Sequence, residues 1–180
     1  MLTNDGIVIP EIGLKEALRS EKYLNKVPTI AGSNKDEIKL WLGFSRYFIE
    51  TKQSFLSKGI GIPTVEIKDE EKYQFYNEIR SKGWQLRGVQ EPLENMFIAG
   101  NEDLYAYRYD WDNLRDFFVG DFSKIIGSAH ALEIPMISGD FSLAEEFAWI
   151  IYPRSPSRRF VSKNMMNFWT EFAKNGVPGI

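Results

Sequence analysis

Val27-Pro28-Thr29-Ile30-Ala31-Gly32-Ser33-Asn34-Lys35-Asp36-Glu37 opens with a compact, β-branched run and then turns through Gly-Ser-Asn. Such a run predicts a buried strand over 27–31 followed by a turn, with Pro28 tolerated near the strand's start. An acid, Glu37, stands just beyond that turn. In open α/β sheets ligands collect outside the carboxyl ends of strands, so this acid is placed where chemistry occurs. The same stretch also has a purely structural use, because Asp36 and Glu37 favour the N-terminus of a following helix through its dipole.

Upstream, residues 1–10 read as a loop with a short apolar stretch at Ile7-Val8-Ile9, and Leu14, Ala17 and Leu18 then fall on one face of a short helix. Downstream, Ile38, Trp41, Leu42, Ser45, Phe48 and Ile49 predict a helix within 36–57, stopped by Gly59, with a loop at 58–63. Further helices are expected over 69–82, ending at Gly83, and over 92–99, ending at Gly100. The clearest strand is 103–111, where Tyr105, Tyr107, Tyr109 and Trp111 occupy every second position. That alternation fits strand packing better than a stacking platform. A segment at 127–137 holds the only histidine, and a helix is expected at about 143–151. The last helix has Ser162 as candidate N-cap, a stripe of Met165, Phe168, Trp169, Phe172 and Ala173, and a stop at Gly176 and Pro178. The order is strand, helices, strand, helices. This is the α/β class with few sheet strands and much helix, too few strands for a complete doubly wound sheet.

The 180 residues fit one domain, and 22 Lys and Arg against 25 Asp and Glu give a net charge of −3. Such a balance excludes a non-specific binder of nucleic acid or of an anionic membrane, which needs a basic excess. The absence of cysteine excludes a disulfide framework, a thiolate nucleophile and sulfur-ligated zinc. No cofactor is called for. No run reaches the ~18 apolar residues of a membrane span, and the start carries no basic and apolar leader, so the chain as given is expected to stay in the cytoplasm.

His130, set in Gly127-Ser128-Ala129-His130-Ala131-Leu132-Glu133-Ile134-Pro135, is either a structural histidine or a base. Pairing it with Glu133 as metal ligands supplies two groups, which do not make a site. Glu37 followed by His130 does match the chain order of the second and third members of an α/β-hydrolase triad, Ser…Asp/Glu…His. The first member is missing. No Gly-x-Ser-x-Gly occurs: Gly32-Ser33 and Gly127-Ser128 both lack the trailing glycine, and Ser128 stands on the wrong element for a nucleophile elbow.

These segments resemble the C-terminal third of the carboxylesterase type B and cholinesterase family of α/β-hydrolases, along nearly the whole chain. Asp5-Gly6 with Ile9-Pro10 and Leu14 to Ala17 is similar to the family's entry segment. The stretch from Val27 to Glu37 is similar to the one ending in the triad acid, and Tyr107 to Trp111 to the strand before the histidine loop. The stretch from Gly127 to Pro135 is similar to the loop of the triad histidine, and Met166 through Lys174 to the last shared helix. The stretch Met136-Ile137-Ser138-Gly139-Asp140 departs from the family pattern, and 68–100 does not align with it. The resemblance implies a partial carboxylesterase type B domain over 1–180, with Glu37 as triad acid and His130 as triad base. It further implies small carboxylic esters as substrates of the complete enzyme. The nucleophile serine and the oxyanion loop would belong to an N-terminal part, without which the chain is expected to be inactive. The alternatives are a non-catalytic cholinesterase-like interaction module and an independent small α/β binding domain. Two structural expectations follow. Glu37 and His130 should lie within hydrogen-bond reach, and an exposed sheet edge should invite either the N-terminal part or self-association.

Overall fold

The computed structural model describes residues 6–53, 63–116, 119–142 and 147–179. In chain order the elements are α1 (Leu14–Leu18), β1 (Thr29–Asn34), α2 (Lys39–Gly43), β2 (Ile49–Lys52), β3 (Thr64–Ile67) and α3 (Glu70–Gln85). A π-helical turn at Leu86–Gln90 then runs into α4 (Glu91–Ile98), followed by β4 (Leu104–Tyr109), α5 (Phe122–Ile125), α6 (Ile134–Ser138), α7 (Ala148–Ile151) and α8 (Pro156–Asn175). Helix takes 47% of the described residues and strand 13%, so the class is mixed α/β with helix dominant. Residues 58–62 of the loop expected at 58–63, the end of the expected helix at 54–57 and the start of the one at 143–151 lie outside the described residues, as do 1–5.

β1 and β4 pair in parallel, in register from Thr29 opposite Leu104 to Asn34 opposite Tyr109. The strand expected at 27–31 is therefore displaced, and Gly32-Ser33-Asn34 belongs to it rather than to the turn. Two contacts override the turn-forming composition. The backbone of these three residues finds ladder partners in β4, and a Cβ at Gly32 would stand 2.1 Å from Cε1 of Tyr107. Only glycine lets that ring lie across β1. The turn falls at 35–38 instead, anchored where the Lys35 amide donates to the Tyr109 carbonyl at 2.9 Å.

The helix expected within 36–57 stops at Gly43. A tight turn returns the amides of Phe48 and Ile49 to the Ser45 carbonyl, and Ile49–Lys52 becomes a strand antiparallel to β3. Ile49 and Thr51 are β-branched and stiff at χ1, which favours the strand once a partner is present. β3 is not expected from the sequence, although three of its four residues, Thr64, Val65 and Ile67, are β-branched. α3 behaves oppositely. Its N-cap, Asp69, accepts from the Lys72 amide at 3.0 Å, with Glu70 and Glu71 in the first turn, and the helix continues through Gly83 and the π turn into α4. α8 begins about two turns earlier than its composition suggested, at Ser155 rather than Ser162. Ser155 is the N-cap, while Ser162 lies mid-helix and donates from Oγ to the Met136 carbonyl at 3.0 Å.

Two cores result. Leu42, Phe48, Ile49, Tyr73 and Ile125 gather under the β2–β3 hairpin, and Tyr109, Met136 and Tyr152 under α8. β4 ends at Tyr109, short of the expected 111, and its alternating aromatics, with Trp111 just beyond it, pack as a strand face should. Tyr105 meets Phe172 and Tyr107 meets Trp169 edge-on at 5.9 Å, and Trp111 stacks on Tyr152 at 6.3 Å. Among the described residues no helix is long and apolar enough to cross a membrane.

Among the described residues the parallel sheet has two strands, and a groove of about 1190 Å³ runs along all of β4 beside Phe160, Phe168 and Trp169. Phe160 is 71% exposed and Phe44 84%. Open strand edges beside apolar patches promote pairing with other chains. We expect the purified chain to sediment as an oligomer, or to bind a hydrophobic dye as a monomer. A dye-silent monomer with a sharp thermal transition would contradict this.

Candidate active site

The turn after β1 and the loop that leaves α5 meet at the carboxyl ends of β1 and β4. The backbone stitches them together: the Asp36 amide donates to the Ser128 carbonyl and the His130 amide to the Glu37 carbonyl, both at 3.3 Å. Glu37 then divides its carboxylate. Oε1 accepts the Asn34 amide at 2.7 Å, and Oε2 lies 2.8 Å from Nδ1 of His130, 93 residues away. The acid side chain is 4% exposed and the imidazole 39%. The expected contact is therefore present, with the carboxylate buried and the imidazole half-buried.

That geometry selects the tautomer of the neutral ring. A buried carboxylate at Nδ1 selects the tautomer with Nδ1–H inward and leaves Nε2 as an acceptor. Nε2 has no hydrogen-bond partner among the described residues. Two indoles hold the ring in place, Trp41 from α2 at 5.3 Å and Trp84 from the end of α3 at 5.1 Å between centroids, themselves 5.9 Å apart.

The neighbouring groups are set by the same two loops. Asn34 donates from Nδ2 to the Ala129 carbonyl at 2.7 Å and to Glu133 Oε2 at 2.5 Å, so Glu133 faces Asn34. Among the described residues no cluster of three His, Asp or Glu could hold a metal ion. Ser128 is fully buried, and its Oγ donates to Asp36 Oδ2 at 3.2 Å, which occupies the hydroxyl. The Tyr107 phenol is pushed up to about 12, chiefly by burial and further by the carboxylates of Glu133 and Glu37, so it adds no charge beside the acid.

His130 is followed by Ala131 at φ 69°, the one positive φ outside glycine among the described residues. An L-residue there costs about 1–2 kcal/mol. Ala131→Gly is expected to raise stability by about 1 kcal/mol, read as a shifted denaturation midpoint at unchanged slope; an unchanged or lower midpoint would show that the loop is unstrained.

Sequence reasoning brought Glu37 and His130 together but missed Trp84, Asn34 and Asp36 as parts of the site. One signal was available for the last. Tyr73, Asn77, Ser81 and Trp84 recur at helical spacing along α3, and two polar members in a buried stripe imply a polar partner. In comparisons with known proteins, no family model and no curated protein matches the chain.

Proposed function

We propose that the chain is the C-terminal portion of an α/β-hydrolase domain of the carboxylesterase type B and cholinesterase family. It would supply the acid and the base of a carboxylic-ester hydrolase, with the nucleophile serine and the oxyanion donors coming from outside these 180 residues. The 2.8 Å contact between Glu37 and His130 at the ends of two parallel strands carries this reading. The motif resemblance of both segments supports it.

In the assembled site the serine hydroxyl gives its proton to Nε2 of His130 as its oxygen attacks the ester carbonyl. Glu37 stabilises the resulting imidazolium through Nδ1–H. The imidazolium then returns the proton to the departing alcohol, leaving an acyl-serine. Water repeats the sequence, giving its proton to Nε2, and the collapse of the second intermediate frees the acid and restores the serine. Trp41 and Trp84 place apolar surface beside these steps.

The test compares the 180-residue chain with the product of a reading frame extended upstream to a Gly-x-Ser-x-Gly segment. The chain alone should hydrolyse p-nitrophenyl acetate no faster than buffer, since each oxyanion donor alone is worth about 10²–10³ in rate. The extended protein should turn the ester over and label with a fluorophosphonate. Hydrolysis by the chain alone that is lost in His130→Ala would refute the proposal, and so would an extended frame with no such serine.

A further inference from the structure

Asp36 is 2% exposed and Lys39, its partner at 3.2 Å, is 5% exposed. A buried ion pair is a poor device for stability, because desolvating both charges cancels much of their attraction. What this one fixes is backbone. Asp36 Oδ2 accepts from both the amide and the hydroxyl of Ser128, two residues before His130, each at 3.2 Å. Oδ1 accepts from Asn77 Nδ2 at 2.6 Å, and Asn77 in turn accepts from Ser81 Oγ at 3.0 Å, so α3 braces the carboxylate from behind.

The loop it grips would not adopt this shape unaided. Gly127 has φ 53°, and a Cβ there would come within 2.4 Å of Asp36 Oδ2; Ala131, on the far side of His130, also has positive φ. Strained backbone persists where its surroundings over-determine it. Glu37 touches the imidazole, whereas Asp36 holds the backbone that carries it.

We infer that Asp36 is the positioning residue of the His130 loop, acting through Ser128, with Asn77, Ser81 and Lys39 holding it in place. The inference rests on His130 being the base. It concerns how that base is aimed, so its test needs no nucleophile.

His130 is the only histidine, so the chain has one imidazole signal in a nuclear magnetic resonance spectrum. Asp36→Asn keeps the shape of the side chain but turns an N–H donor toward the donors of Ser128 or Asn77. The variant is expected to raise amide hydrogen exchange at Ser128 and His130 at least tenfold and to broaden the Nδ1 proton signal. Met165→Ala, in the separate core under α8, should lower the melting temperature while leaving both readouts unchanged. If Asp36→Asn does not fold, Ser128→Ala carries the test, with a several-fold rise in exchange at His130 expected. Unchanged exchange in whichever variant folds, or an equal rise in Met165→Ala, would overturn the inference. An extended protein that folds but hydrolyses no ester would end the esterase proposal and leave this result intact.

Discussion

Glu37→Gln in the extended protein is expected to lower kcat on the order of 10⁴-fold, the scale seen when a triad carboxylate becomes an amide. The cause is specific to how Glu37 divides its oxygens. Oε1 accepts the Asn34 amide at 2.7 Å, so the amide oxygen of a glutamine must take that place and its NH₂ must face Nδ1. A donor facing Nδ1 turns it into an acceptor and puts the proton on Nε2, where a base must have none. Stability should change far less than activity, since shape and burial are kept. Equal kcat in variant and parent would remove Glu37 from the mechanism.

Gly32→Ala should have the largest effect on folding, about 3 kcal/mol or more, because overpacking that forces a ring and backbone to move lies at the upper end of such costs. The added carbon would stand 2.1–2.5 Å from three atoms of the Tyr107 ring, so the ring must shift and give up its edge-on contact with Trp169. Urea denaturation checks this. Tyr107→Leu should be costly alone yet recover part of the loss when combined with Gly32→Ala, the signature of two residues sharing one space. Purely additive losses would mean that the ring does not depend on the glycine.

Much of this arrangement could be read before folding. The alternating aromatics announced β4, and Glu37 and His130 stood out by their place after two strands. The errors share one cause. Gly32-Ser33-Asn34 has the composition of a turn and forms strand because β4 supplies its ladder, and Ile49–Lys52 leaves a helical pattern because β3 lies opposite. Gly83 fails to end α3 because a buried stripe of Tyr73, Asn77 and Ser81 holds the helix in place. In each case a partner distant in sequence outweighed a local preference of about 1 kcal/mol or less. The aim of His130 was illegible for the same reason, since Asp36, Asn77 and Ser128 are 41 and 92 residues apart along their two contacts.

The central claim, that Glu37 holds His130 as a base aimed outward, is most directly tested by the ¹⁵N resonances of the single imidazole in the folded chain near neutral pH. The structure predicts a protonated Nδ1 whose proton exchanges slowly and an unprotonated Nε2, with the two reversed in Glu37→Gln. A wild-type spectrum with the proton on Nε2, or with both nitrogens averaged as in free histidine, would contradict it.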